Sequence, residues 1–464
     1  MAAINFQECD AVIALSIKPA LQSLGLAYPQ WLETAEQTRW DRQLITDVCA
    51  LHCPDVTMLL LDQSDGFHFW AGMYAGILTG KHLLIPPNYQ TGTLANLQEI
   101  YPGALRYSQL TRHRVGDRDV VLASRALDQI GLTLFTSGTS DVQGRGKSVH
   151  KHVAQMTAEA AMLGLSLPRV TRTGCVLSTV PTHHLYGLTF RGFWAFQQGL
   201  KVSLNQLENP EEIAAAVMQQ AQSSQDPIVL VTTPSQLTRL PDLVGYRPLR
   251  ACQTIFTAGS PLPERLAQTL AAQDIFPQEI YGSTETGALA HRRQAECRAW
   301  EPLHGVNLIW QKHQCTAQAP WINGSRPIAD QLIPLPEGKF ELGGRADRVV
   351  KIGEKRVDLE SLETRLRQHP WVADVVVTTV QRQRLSLGAL IVLSPIGLAI
   401  QKTEKNMILG QHLRLYLANT FDRVMTPKYW RYVTELPYDE RGKLNQLQLR
   451  RYFDEELTSG AKSR

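Results

Sequence analysis

Residues 131 to 152 read Gly131-Leu132-Thr133-Leu134-Phe135-Thr136-Ser137-Gly138-Thr139-Ser140-Asp141-Val142-Gln143-Gly144-Arg145-Gly146-Lys147-Ser148-Val149-His150-Lys151-His152. An apolar, β-prone run from Leu132 to Phe135 ends in small hydroxyl and glycine residues and then meets a lysine among basic side chains. Consecutive backbone N–H groups of such a loop can converge on an anion, hydroxyls add donors, and the lysine neutralises what the amides leave. Glycine lets ligand oxygens approach the main chain closely. An isolated Ser/Gly cluster is also what an ordinary solvated turn after a strand looks like. A Walker A loop is excluded, because the pattern ending at Gly146-Lys147-Ser148 requires glycine where Asp141 stands.

Around this stretch the composition sets bounds. At 464 residues and 44% hydrophobic, the chain is long enough for more than one domain and a sizeable core. A net charge of +4 is small for that length, and no basic run interleaves with aromatics, so a nucleic-acid partner is not expected. The seven cysteines include no C-x-x-C, which suggests neither a zinc site nor a disulfide framework. Cys49 and Cys53 could share a helix face as small buried apolar residues. The N-terminus, with Glu8 and Asp10, lacks the basic region of a secretory signal. The apolar run Leu385 to Ile400 is too short for a span and is broken by Pro395 and Gly397, so no membrane insertion is expected. The expected location is the cytoplasm.

Strand-like and helical patterns alternate along the first two thirds. Val56 to Leu61 reads as a buried strand, Phe67 to Leu78 carries its aromatics at helical spacing, and Leu83 to Ile85 is a strand stopped by Pro86-Pro87. Val153 to Leu163 reads as a helix; Cys175 to Val180, Ile228 to Val231 and Thr254 to Thr257 read as strands. Such alternation implies parallel βαβ units and an α/β sheet, with ligands received past the carboxyl ends of strands. Ala258-Gly259-Ser260 lies at one such end, although a plain capped turn fits those residues equally well. Tyr281-Gly282-Ser283-Thr284-Glu285 packs a stackable ring, hydroxyls and a metal-capable carboxylate into five positions.

Thr136 to Ser140 followed by Lys147 resembles the phosphate loop of the adenylate-forming superfamily: acyl- and aryl-CoA synthetases, luciferases and carrier-protein adenylation domains. Two departures are Asp141 at the family's next glycine and the extra residues before Lys147. The resemblance continues in the family's order. Pro181-Thr182-His183-His184-Leu185-Tyr186-Gly187 is similar to its fourth core motif, which implies that His184, on the motif's histidine, would lie beside the acyl pocket and help gate access for the thiol. A structural role for a lone histidine at a strand end is an equal reading. The transacylase pattern H-H-x-x-x-D fails, because Leu188 replaces the aspartate. Trp194 and Tyr186 hint at a flat or apolar acid.

The resemblance also implies roles further on. Ala258, Gly259 and Ser260 would line the adenine slot, with Tyr281 and Gly282 beside it. Thr284 would face the α-phosphate and Glu285 the metal. Asp330 would grip both ribose hydroxyls, as a carboxylate can, and Arg345 would supply a cation near ribose and phosphate. Ala329 replaces a usual glycine. Asp347 matches the family's hinge, and Glu354 stands where relatives that deliver pantetheine often have a second glycine. Strands Ala373 to Val380 and Ala389 to Leu393, with a helix Gln411 to Thr420, form an α+β unit ending at Gly442-Lys443. On its own, a lysine in a polar turn is ordinarily just solvated. By resemblance, Lys443 bridges the carboxylate and the α-phosphate, offsetting repulsion between two anions.

The expectation is therefore a large α/β N-terminal domain over 1–345 and a small mobile α+β C-terminal domain over 346–464, joined by a hinge. ATP, Mg²⁺ and a phosphopantetheine thiol are the implied cofactors. An aryl or fatty acid would be adenylated and passed to an acyl carrier protein, by preference, or to CoA. The rival is a non-catalytic relative that binds nucleotide or carrier protein, motivated by Asp141, the longer loop and Glu354.

Overall fold

The computed structural model describes residues 17–52, 55–110, 126–135, 148–240, 244–311, 314–345, 349–353, 355–382, 384–437, 449 and 451–453, with the backbone alone at 314, 344, 345 and 349. Contacts divide the chain into two compact units that meet in sequence at Gly343 and Gly344.

The large unit is built on two sheets. In the eight-stranded one the order is Gln30–Trp31, Lys201–Gln206, Cys175–Ser178, Ile228–Thr232, Cys252–Ala258, Gln278–Ser283, Gly287–Arg292, Glu301–Pro302. Its first six strands are parallel, and the last two turn back antiparallel. The runs Cys-Val-Leu-Ser and Ile-Val-Leu-Val-Thr are buried throughout, because helices cover both faces of a parallel sheet and leave no wet side to alternate toward. Helix Pro210–Ser223 shows how such a cover starts: Asn209 accepts the N–H of Glu212, proline takes the first turn, and two glutamates follow.

The five-stranded sheet runs Ala104–Arg106, Met58–Leu60, His82–Ile85, Gly131–Phe135, Ser148–His152, with only the last pair antiparallel. Helix Gly66–Leu78, capped by Asp65, is buried at every position but His68. Its aromatic stripe is core, as Trp70 and Tyr74 pack edge to face on Phe196.

The small unit has a hairpin, Val349–Ile352 with Lys355–Asp358, and a sheet in the order Val372–Gln381, Leu385–Leu393, Tyr429–Val433. Helices Leu359–Arg367, Pro395–Thr403 and Asn406–Ala418 accompany it. Val375, Val377, Leu387 and Ile391 form its core with Leu409, Leu413 and Leu417. Among the described residues no helix is long and apolar enough to cross a membrane.

Element bounds differ from expectation where side chains intervene. The strand expected to reach Val180 stops at Ser178, whose hydroxyl accepts the N–H of Val180 and turns the chain away. The strand expected from Ala389 begins at Leu385, because pairing with Thr378 to Gln381 carries Ser386 and Gly388 despite their weak strand preference. The helix expected over Gln411 to Thr420 spans Asn406–Ala418, starting ahead of Gln411.

Candidate active site

Strand Cys252–Ala258 runs beside Gln278–Ser283 with Ala258 opposite Ile280, so Ala258, Gly259 and Ser260 leave the sheet next to Tyr281. Glu279 ties these two departures together. Its carboxylate accepts the N–H of Leu262 at 3.1 Å and meets the Arg292 guanidinium at 2.8 and 3.2 Å. Arg292 in turn lies over the Trp300 ring, 4.3 Å from its centroid. The loop after Ser260 and the strand bearing Tyr281 are thus fixed by a buried, bidentate pair, the geometry in which guanidinium and carboxylate bind most specifically.

The Tyr281 ring packs against Trp300 and Phe340, at 5.5 and 5.8 Å between centroids. Its hydroxyl donates to Asp330 at 2.7 Å. Residues 49 apart in sequence, expected at the base and at the ribose of one nucleoside, therefore meet in one hydrogen bond. Asp330 opens strand Asp330–Pro334, which pairs with Phe340–Arg345; the side chain of Arg345 lies outside the described residues.

Between Ser283 and Thr286 the chain makes a tight turn. The Ser283 N–H donates to the Thr286 hydroxyl at 3.1 Å, and the Thr286 N–H donates to the Ser283 hydroxyl at 3.2 Å. Thr286 is buried, while Thr284 and Glu285 stand half-buried at the tip. Gly282 precedes the turn on the strand. Among the described residues no three His, Cys, Asp or Glu side chains gather to hold a metal. One carboxylate beside bound phosphates still suits Mg²⁺, which keeps waters and takes few protein ligands. The donor set fits that ion.

The phosphate-loop residues Thr136, Ser137, Gly138, Thr139, Ser140 and Lys147, with Asp141, lie outside the described residues. Their flanks are described: Gly131–Phe135 and Ser148–His152 pair from Gly131 opposite His152 to Phe135 opposite Ser148. At the root of the loop, buried Thr133 shares its hydroxyl between His82 (2.7 Å) and His150 (2.9 Å). Burial, and then His150 and His152, hold the His82 ring below the usual histidine range. Asp347, Glu354 and Lys443 also lie outside the described residues.

In the fourth motif, Gly187 is required by space: a Cβ there would sit 2.1 Å from the Pro181 carbonyl oxygen. His184 is exposed, with its ring 4.5 Å from that of His183. His183 is the more buried of the two, set against Tyr89, and burial followed by the His184 charge pulls it down to about 3. Beyond them, Leu185–Leu188, a π-helical turn Thr189–Phe193 and Trp194–Gln197 form one helical segment that sequence reading left unassigned. Buried Arg191 in that turn donates to the carbonyls of Val180, Ser203 and Leu204 and so holds the motif to the sheet. Trp194 is fully buried, stacked edge-on against Phe256.

Sequence reasoning also missed Lys151 and Glu159, both buried in the large unit. The available signal was position. Lys151 sits two places from Val149 on an alternating strand, and Glu159 falls beside Met156, Ala160 and Leu163 on the inner stripe of its helix.

Known proteins resemble this chain in sequence and in fold. The family profile of AMP-binding enzymes matches residues 47–309. A 4-coumarate--CoA ligase from Halorhodospira halophila is 26% identical over 354 residues, covering 72% of this chain and 80% of the relative. Among solved structures, o-succinylbenzoate CoA synthetase from Bacillus subtilis superposes with a TM-score of 0.70 at 16% identity, over 93% of this chain and 97% of that one. The amide bond synthetase McbA from Marinactinospora thermotolerans gives 0.67 at 15% identity, over 88% and 94%. With the profile spanning more than half of its length, the chain belongs to the adenylate-forming, AMP-binding enzymes.

Proposed function

We propose that the chain adenylates a carboxylic acid with ATP and then passes the acyl group to a pantetheine thiol. The observation that carries this reading is the Tyr281 hydroxyl bonded to Asp330 beside the Ala258–Ser260 edge, which gathers the expected base and ribose contacts. In the first step an acid oxygen bonds to the α-phosphorus, and pyrophosphate leaves with the electrons of the broken P–O bond. In the second, the thiolate sulfur bonds to the acyl carbon and AMP leaves.

Thr136 to Ser140 and Lys147 hold phosphates, Ala258, Gly259, Ser260, Tyr281 and Gly282 the base, and Asp330 and Arg345 the ribose. Thr284 faces the α-phosphate. Glu285 would hold Mg²⁺, which when bound would offset phosphate charge. Lys443, carried by residues 346–464 as a mobile domain, approaches the carboxylate and α-phosphate, and His184 gates the thiol. The aromatic row Tyr186, Phe190 and Trp194, together with likeness to a 4-coumarate--CoA ligase, supports a planar aryl acid over a saturated chain. The preferred acceptor is an acyl carrier protein, with CoA as the alternative.

ATP–pyrophosphate exchange against a panel of aryl and fatty acids tests the first step. Exchange with at least one acid is expected, and none across the panel overturns the reading in favour of a non-catalytic binder. Parallel thioester assays with a loaded-ready carrier protein and with free CoA decide the acceptor.

A further inference from the structure

The turn that carries Glu285 joins two strands whose ladder is faulted just below it, and a buried carboxylate answers the fault. Strands Gln278–Ser283 and Gly287–Arg292 pair antiparallel with Tyr281 opposite Ala290 but Gly282 opposite Ala288, so Leu289 is the extra residue of a β-bulge. A bulge disrupts the ladder locally, bends its strand and re-aims the side chains beyond it. At this one the Ala288 N–H donates to Glu159 Oε1 at 2.8 Å, across 129 residues of sequence. Glu159 is 1% exposed on helix Val153–Ser166 and takes no part in the chemistry proposed above.

The same carboxylate closes on the residue before. Gly287 has φ +74°, and a Cβ there would lie 2.8 to 2.9 Å from both Glu159 oxygens and the carbon between them, so only glycine suits that position. Gly282, on the entering strand, is as tightly placed: a Cβ there would sit 2.1 Å from the Gly287 carbonyl oxygen. That carbonyl accepts the Thr286 hydroxyl at 2.9 Å, and the same hydroxyl accepts the Ser283 N–H. Contacts thus run without a break from Glu159 through Ala288 and Gly287 to Thr286 and Ser283, and Thr284 and Glu285 are the residues they enclose.

We propose that Glu159 is a positioning residue for the Glu285 turn: by accepting the Ala288 N–H at the bulge and closing on Gly287, it fixes where the turn presents the Glu285 carboxylate to a divalent ion. The inference rests on Glu285 as the metal-holding carboxylate. Helix Val153–Ser166 begins where strand Ser148–His152, the downstream flank of the phosphate loop, ends. One hydrogen bond therefore ties the segment leaving that loop to the turn that presents the acid. Without the acceptor, the Ser283–Thr286 bonds still close the turn, but its exit strand is released and the carboxylate loses its fixed place. A Mg²⁺ ion that takes few protein ligands and demands near-ideal geometry is sensitive to such a shift. A contact that only stabilises the fold moves Tm and leaves the metal dependence alone.

The test measures ATP binding to the full chain by calorimetry across a Mg²⁺ series, which needs no turnover. Glu159→Leu keeps the bulk and removes the acceptor; half-saturating Mg²⁺ is expected to rise about 10-fold, the scale on which groups that orient a metal ligand act, with ATP affinity in the absence of Mg²⁺ unchanged. Glu159→Gln, whose amide oxygen still accepts from Ala288, is expected to stay near wild type. Glu159→Asp keeps the charge but draws the acceptor back by one methylene, and is expected to fall between the two. Equal Mg²⁺ dependence in wild type and Glu159→Leu overturns the inference, whatever happens to Tm, as does a Glu159→Gln as weak as Glu159→Leu. If Glu159→Leu does not fold, Glu159→Asp decides, and a Mg²⁺ dependence equal to wild type overturns the inference. Wild type that binds ATP with Mg²⁺ but exchanges no pyrophosphate sinks the adenylation reading and leaves this one standing. Wild type showing no Mg²⁺-dependent ATP binding overturns both.

Discussion

The nucleotide edge and the aromatic helical segment of the large unit are held in place by different forces. At the edge, directional bonds fix each element: Glu279 to Arg292 and to the Leu262 N–H, Tyr281 to Asp330, Ser283 to Thr286. In the segment from Leu185 to Gln197, Arg191 ties the π-helical turn to the sheet, and ring packing sets the rest. Phe190 lies 5.2 Å from Tyr186, 5.8 Å from Trp194 and 5.0 Å from Phe256. The Thr189 hydroxyl and the Trp194 indole N–H there have no hydrogen-bond partner among the described residues. Packing tolerates reshaping when volume is kept, whereas a charge-assisted bond is either made or lost. On the proposed function, the constant chemistry of a nucleotide would sit on the rigid side and the variable part of an acid on the adaptable one.

The contrast breaks most sharply at Arg292. Replacing it with Met leaves Glu279 buried without its cation, an expected loss of about 3–5 kcal/mol in denaturant unfolding, accompanied by weaker ATP binding. On the other side, Trp194→Phe removes ring volume from the packed row and is expected to cost about 1–3 kcal/mol while changing which acids support exchange, with the ATP KM unmoved. An altered ATP KM, with acid preference intact, would contradict the division between the two regions. Tyr281→Phe deletes one hydrogen bond to a carboxylate; about 1 kcal/mol, or roughly fivefold in ATP affinity by calorimetry, is expected, with Tm little changed.

The last effect concerns pH. The folded state holds His183 at about 3, far below the usual 6.5, so only the neutral ring fits. The unfolded chain takes up a proton below pH 6.5 that the fold refuses, hence stability is complete above that pH and falls through the window from 6.5 toward 3. His183→Gln should make Tm a few degrees less steep in that window. An acid limb identical to wild type would place the sensitivity elsewhere, first at His82 against His150.

Much of this was legible in the chain because its signals are local. The run Gly131 to Phe135, the aromatic helix Gly66–Leu78 and the strand Cys175–Ser178 announce themselves through continuous burial or helical spacing. The turn Ser283–Thr286 announces itself through residue type. The segment Leu185 to Gln197 did not, because its π-helical middle breaks the usual period and two glycines and a threonine dilute the signal. Glu279 and Arg292 gave no sign either, since alternation alone cannot tell a buried ion pair from two solvated charges facing outward.

The sequence by itself determined the order of the motifs, the α/β character and the kinds of group available at the nucleotide edge, since each depends on residues a few positions apart. Only the tertiary structure decided that Tyr281 bonds to Asp330, that Glu279 locks the Ser260 loop to its neighbour strand, and that buried Glu159 accepts the Ala288 N–H at the exit of the Glu285 turn. Those facts depend on burial and on contacts between residues far apart in the chain. The free energy of a charge is set by what surrounds it, and that becomes known only once the chain has packed.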